Sequence, residues 1–422
     1  MSSILHWLPG RRRPRRLAVA LLLAGLVVLA WLPSLKLLAG PGADQIWESF
    51  GLAQSCAVHP ASLGWQGSNT PNASQGLFTL SFPGQWLLWI SCSLSRFTLL
   101  VPLQAFVLVG QLVTLLLAWI SCRWIGLRPG PSAIAALLVA TAPCSFSRLG
   151  HLGLSVLIPV LPAMAACLQL ARSLFRAFTP WQRLGLGALC CLLCLPFQDY
   201  YTVFTLLLLF VGLGVQLLLE TSRSLDLRLL SVIARRGALF LSGFLLMLVF
   251  LYLPKLIAAG SDGLPPLWSS PRLAAEQFRY GLLPLTWFIP APWVPSTLEA
   301  LSSAGINTSF ESYFWSTGSL LIPVAWLAAI RRLAQPPLAV LPAPSVNGLQ
   351  DADRRFLALL LLIVTALGLL CMTMGGLGTL FAVYVSPVLR SLNRFTVFVY
   401  GASVLYLVAE LDLWLRARAQ TP

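Results

Sequence analysis

Asp44 and Glu48 stand one helical turn apart in Gly42-Ala-Asp44-Gln-Ile-Trp-Glu48, just after the first long apolar run, Leu17 to Leu38. An ionised carboxylate can take the proton of an incoming hydroxyl as that oxygen attacks carbon, so Asp44 is a candidate general base. The competing reading makes it an N-cap that opens an amphipathic stretch, Asp44 to Ala53. Glu48 lies on the same helical face; it could share a metal with Asp44, orient an acceptor, or stand solvated. The chain has only 13 acidic residues in 422, and a carboxylate near hydrocarbon is costly unless it is paired or used.

Four further groups could bind an anion or a sugar. Arg148-Leu-Gly-His151 falls at a tight turn between two apolar runs. The forked guanidinium suits phosphate and the imidazole adds a donor, against the plainer reading of an arginine snorkelling to headgroups. Asp199, Tyr200 and Tyr201 follow one another at a second such turn; tyrosines at this depth are also ordinary interface anchors, whereas an aspartate facing lipid would be costly. Arg390 and Arg394 are four residues apart, on one helical face, a spacing able to clamp phosphate oxygens or simply to touch surface lipid. Glu311 precedes Tyr313 at the end of a long polar loop.

The elements that must position these residues are set by composition. The chain is 58% hydrophobic and 10% charged, with mean hydropathy +0.82, far below the roughly 25% charged residues of a soluble domain. Such runs read as membrane helices, since each crossing needs about 20 apolar residues and backbone groups in lipid must pair within the segment. The expectation is an all-α, polytopic bundle of about ten transmembrane helices: 17–38, 98–122, 131–149, 152–171, 184–197, 201–219, 237–257, 314–330, 356–373 and 395–414. The first run is as long as a full span, so it is read as a helix rather than a cleaved signal.

Arg11, Arg12, Arg13, Arg15 and Arg16 precede the first run and place the N-terminus in the cytoplasm. Alternating from there puts most of the other arginines on the same side. The expected layout is a basic cytoplasmic segment 1–16, a membrane domain 17–414 with outer loops 39–97, 258–313 and 374–394, and a cytoplasmic tail 415–422. Gly76 to Ser95 is apolar enough to cross but contains Pro83-Gly84; it is read as a helix at the outer interface, with Trp86 and Trp89 as anchors. All the candidate residues above then collect on the outer face, with nothing comparable expected on the inner one.

Net charge +15 is explained by topogenic arginines scattered between apolar runs, with attraction to anionic lipid, and not by nucleic-acid binding. Eight of the nine cysteines, Cys92 among them, lie in or beside apolar segments and read as small packing residues, leaving Cys56 alone in an outer loop and no disulfide framework. Cys191 and Cys194 form a CxxC without histidine, a poor metal site. There is no phosphate loop of the GxxxxGK[ST] type and no HExxH.

Taken in order, Gly42-Ala-Asp44, Arg148-Leu-Gly-His151-Leu, Asp199-Tyr200-Tyr201, Glu311-Ser-Tyr313 and Ser386 to Phe395 resemble the multi-spanning GT-C glycosyltransferases, bacterial members above all. That resemblance implies a polyprenyl-phosphate-linked sugar as donor, a lipid or glycan acceptor, and an active site on the outer face of the inner membrane. Asp44 would be the base, and Glu48 the second catalytic candidate. Arg148, His151, Asp199, Tyr200, Tyr201, Glu311, Arg390 and Arg394 would bind substrate. Some members of the family use a divalent metal, for which this chain shows no convincing ligand set; no cofactor is assigned, and a divalent metal stays an open alternative. The rival readings are a transporter or flippase of lipid-linked sugars, which needs polar groups at mid-membrane where only Glu410 stands, and an O-antigen polymerase or ligase, which leans on arginine and histidine rather than a loop aspartate.

Overall fold

The computed structural model describes residues 19, 23–28, 56, 82–142, 145, 156–175, 177–194, 199–221, 227–261, 299–300, 303, 320–335, 349–373, 376–384 and 392–418. Residues 23–28 are helical. The helices that follow are α1 (Phe82–Phe97), α2 (Pro102–Trp124), α3 (Pro129–Ala140), α4 (Val160–Phe175), α5 (Pro180–Leu193), α6 (Asp199–Thr221), α7 (Leu227–Ser261), α8 (Leu321–Ala334), α9 (Asp351–Met372) and α10 (Leu377–Tyr384), then a 3-10 turn (Leu392–Phe395) and α11 (Thr396–Arg418). Among the described residues there is no sheet. Five of these helices, α2, α6, α7, α9 and α11, are long and apolar enough to cross a membrane. Their lipid-facing character shows in large apolar side chains left exposed, such as Leu207 and Phe210 on α6 and Leu246 and Phe250 on α7. A surface of that kind belongs in hydrocarbon, not in water.

Local sequence explains where the helices begin. Pro102, Pro129 and Pro180 each open a helix, where a fixed φ is useful and the missing N–H is not needed. Thr179 caps α5 by accepting from the Gln182 backbone N–H at 3.2 Å, while Gln182 returns a bond to the Thr179 N–H at 2.9 Å, a reciprocal capping box. Asp351 and Asp353 occupy the first turn of α9, where carboxylates complement the positive end of the helix dipole.

The last helix is the mast of the bundle. In the most apolar stretch of α11, 78% of residues are buried, against 33% for α7, so α11 is enclosed while α7 lies at the periphery. It packs on α9, α8, α3 and α4. Two tyrosines pin it to its neighbours: Tyr400 donates to the Leu138 carbonyl of α3 at 3.1 Å, and Tyr406 to the Ala328 carbonyl of α8 at 3.2 Å. With no aqueous competitor at this depth, such bonds fix the rotation of a helix whose apolar sides would otherwise be interchangeable.

At the arginine-rich end the helices run past the hydropathy boundaries, whereas α2 opens at Pro102, after the expected 98. Helix α7 begins at Leu227, ten residues before the apolar run expected from 237, and carries Arg228, Arg235 and Arg236 on its first turns. Helix α8 continues through Arg331 and Arg332, and α9 starts at Asp351 rather than 356. Hydropathy marks only the part of a helix that lies in hydrocarbon. Backbone bonding continues into the charged zone because the arginines there find partners.

A second departure concerns Cys92, expected to be a packing residue. It is disulfide-bonded to Cys56, with Cα atoms 5.3 Å apart, and Arg96 donates to the Cys56 carbonyl at 3.1 Å. The segment read from sequence as an interfacial helix is α1, whose 16 residues reach about 24 Å at 1.5 Å per residue, and which packs against α2. Trp86 and Trp89 are exposed on it.

Helices α5 and α7 meet backbone to backbone. A methyl built on Gly187 would lie 1.9 Å from the Phe240 carbonyl oxygen, and one on Gly243 would lie 2.1 Å from that of Leu184, whereas nothing lies within 4 Å of one on Gly185. Small residues allow such close approach between membrane helices. Gly187→Ala and Gly243→Ala should each lower the unfolding temperature in detergent, with a loss of roughly 1–3 kcal/mol from overpacking. Gly185→Ala should be neutral or slightly stabilising. Equal melting temperatures for Gly187→Ala and Gly185→Ala would refute this packing.

Candidate functional site

The described helices have two chemically distinct ends. One gathers the end of α2, the starts of α3, α5, α7 and α9, and the ends of α4, α8 and α11. Contacts join these termini into one polar layer. Arg128, preceding α3, donates through Nε to Asp412 Oδ1 on α11 at 2.7 Å and through Nη2 to the Asp412 carbonyl at 3.0 Å. Arg416 donates to Asp412 Oδ2 at 2.8 Å and to the Gly126 carbonyl at 3.1 Å. Gln169 of α4 donates to the Trp124 carbonyl of α2. Arg172 makes a two-pronged pair with Asp353 of α9, at 3.1 and 2.8 Å. Arg332 of α8 pairs with Asp351, and Arg236 of α7 donates to the Leu174 carbonyl. Trp181 and Trp414 lie exposed in this layer, with the Arg418 guanidinium 4.0 Å above the Trp414 ring, the usual furniture of a membrane interface.

This end therefore carries a carboxylate–arginine network of its own, whose pairs the sequence reading did not match. The sequence reading gave Asp351, Asp353 and Asp412 no role and noted Glu410 as a mid-membrane charge. Only the helix packing shows that Asp351 meets an arginine from α8, and that Asp353 meets one from α4.

The other end holds two of the predicted segments. Asp199 and Tyr200 open α6; their side chains lie outside the described residues. Tyr201 is fully buried, its ring edge-on to Phe398 of α11 at 6.0 Å. Phe204, one turn later, contacts Phe395 at 5.3 Å and Phe398 at 6.0 Å, and Phe395 stacks on Phe398 at 5.6 Å. Aromatic pairs at these separations and edge-on angles stabilise beyond their buried area. The cluster clamps the start of α6 to the 3-10 turn that carries Arg394, itself partly buried. Thr396 donates to the Met372 sulfur at 3.5 Å, joining the end of α9 to the same place. Tyr201 thus has a packing role beneath this end, and the turn bearing Arg394 is held beside the turn bearing Asp199 and Tyr200. Asp44, Glu48, Arg148, His151, Glu311 and Arg390 lie outside the described residues. Among the described residues, no three histidines, cysteines or carboxylates converge as metal ligands.

Compared with protein-family models, with curated proteins and with solved structures, the chain finds no match in any of the three.

Asp412 is the most enclosed carboxylate of the polar layer, its side chain 3% exposed. Removing one partner of a buried pair strands the other charge. Asp412→Ala should cost about 3–5 kcal/mol of unfolding free energy, and adding Arg128→Gln to it should cost little more. A double-mutant cycle in detergent checks this; additive losses would mean the two residues are not coupled.

Proposed function

We propose that this protein is a ten-span inner-membrane glycosyltransferase of the GT-C kind, with its N-terminus in the cytoplasm. In this reading it moves a sugar from a polyprenyl-phosphate donor to a lipid or glycan acceptor on the outer face. The observation that carries the reading is the juxtaposition, at the end away from the arginine layer, of the Asp199–Tyr201 helix start and the Arg394 turn. These two segments are far apart in sequence and were each singled out for substrate binding.

Two independent arguments about sidedness support the same reading. The arginine layer belongs in the cytoplasm by the positive-inside rule. The Cys56–Cys92 bond belongs on an oxidising side, and Cys92 precedes by ten residues the start of α2, the end of that helix remote from the arginines. Both rules orient the bundle alike, and that orientation supports an outer position for the Asp199–Tyr201 helix start and the Arg394 turn.

The chemistry follows from the residue types. Asp44 takes the acceptor hydroxyl proton, the acceptor oxygen bonds to the anomeric carbon, and the bond from that carbon to the lipid phosphate oxygen breaks. The phosphate leaves with its charge stabilised by Arg148, His151, Arg390 and Arg394. Loss of a general base typically costs 10²–10⁴-fold in rate. Radiolabel transfer from polyprenyl-phosphate sugars should therefore fall by about 10²-fold or more in Asp44→Asn with folding intact, and Arg394→Gln should chiefly raise KM for the donor. Full transfer by Asp44→Asn would end the base assignment. Passage of the donor across the membrane without transfer would give the protein to the flippase class.

Sidedness has its own readout. In a Cys56→Ser variant, Cys92 should react with a membrane-impermeant maleimide added to intact cells. Labelling only after permeabilisation would invert the topology.

A further inference from the structure

Arg332 of α8 and Arg354 of α9 converge on one oxygen of Asp351, while Arg355 reaches its other oxygen at 3.2 Å. From the last helix, Glu410 and Tyr406 lie within electrostatic reach of both Arg332 and Arg354. Three guanidinium groups here face two carboxylates, since the neighbouring Asp353 is already engaged by Arg172. The cluster is also enclosed: Arg332 is 9% exposed and Arg354 is 5% exposed.

The hydrogen-bond tally is unbalanced in the same direction as the charge. Setting aside Arg332 Nη2 and Asp351 Oδ1, which form an ion pair with each other, Nε and Nη1 of Arg354 and Nε of Arg332 are buried donors without an acceptor, against one open acceptor, Oε1 of Glu410. The approach of Arg354 to Asp351 is loose, 3.5 Å. Arg332 reaches the Gln335 side-chain oxygen only at 3.5 Å, and Tyr406 spends its hydroxyl proton on the Ala328 carbonyl. Among the described residues, the acceptor left open beside these three donors is Oε1 of Glu410. Buried guanidinium groups persist where every donor is met, so the cluster calls for an acceptor-rich anion from outside the chain. The exposed Arg331 and partly open Asp351 mark the side from which it would enter.

We propose that Arg332 and Arg354 form a phosphate-binding site at the arginine-rich end of the bundle, with Arg355 at its edge and the Asp351 and Glu410 carboxylates limiting its affinity. A phosphate group offers several acceptor oxygens to a pair of guanidinium forks, which bind it in two-pronged fashion. The site lies at the level where lipid headgroups meet the helix ends, so the phosphate belongs either to an anionic lipid or to a soluble phosphate compound at that face. This site stands apart from the transferase reading, at the opposite end of the helices.

The test uses the purified full-length chain in neutral detergent, titrated with phosphatidylglycerol, with diacylglycerol of the same chains but no phosphate, and with inorganic phosphate, read by native mass spectrometry and thermal shift. Wild type should bind one phosphatidylglycerol saturably and ignore diacylglycerol. Arg354→Gln should weaken that binding at least tenfold, while Arg331→Gln, which removes the same charge from an exposed neighbour, should change it less than twofold. Glu410→Gln should tighten it several-fold by removing a competing carboxylate, which keeps the test alive if Arg354→Gln fails to fold. Saturable binding of inorganic phosphate without phosphatidylglycerol would assign the site to a soluble phosphate compound. Binding of neither, equal losses in Arg331→Gln and Arg354→Gln, or weaker binding in Glu410→Gln would overturn the proposal.

Discussion

Asp412 sits on an almost fully enclosed helix, between an arginine that precedes α3 and another one turn along α11. The rest of the bundle depends on that kind of closure. Helices in hydrocarbon gain little by hiding apolar faces from each other, because lipid serves those faces equally well. Their arrangement must come from close packing and from polar groups with one admissible partner. Asp412 offers such a partner at one end of α11, and Tyr406 and Tyr400 offer further ones along its length. Once α11 is fixed in depth and rotation, α3, α8 and α9 are fixed around it.

The two ends of the bundle solve the same problem with different chemistry. At the arginine end, charge is matched across helices, so that α4 meets α9 through Arg172 and Asp353, and α8 meets α9 through Arg332 and Asp351. At the other end, α6, α9 and α11 are joined by aromatic rings and a single hydroxyl–sulfur contact. Ion pairs need an interface where side chains can reach water or headgroups; ring packing does not.

Much of this was legible in the chain, for a simple reason. Hydropathy reports directly on the medium surrounding each segment, so the presence and order of the long helices followed from it, as did the gathering of arginines at one end. What hydropathy cannot report is where a helix stops once it has left hydrocarbon. Arg228 to Arg236 looked like a loop and is helical, because helix continuation there depends on partners such as the Leu174 carbonyl. The Cys56–Cys92 pair was missed because Cys92 is surrounded by apolar neighbours, and its bond joins positions 36 residues apart, a pairing that only the fold can bring about. Tyr201 was read as a substrate-binding candidate or an interface anchor, whereas the fold buries its ring against Phe398. The candidate site is legible only in part, since the fold bears on Tyr201, on Arg394 and on the helix start at Asp199.

Arg394 nevertheless gains meaning from the arginines it is not among. In the proposed orientation the cations of the arginine layer have a topogenic reason to exist. A cation at the opposite end has no such reason, because the positive-inside rule opposes it. Its turn is held against the start of α6 by Phe204 and Phe395, so its position is built into the packing rather than left to a loose loop. In the reading proposed above, an arginine kept against the topogenic gradient and fixed by a core cluster serves an anion met on that side. That reading makes the anion the phosphate of a lipid-linked donor.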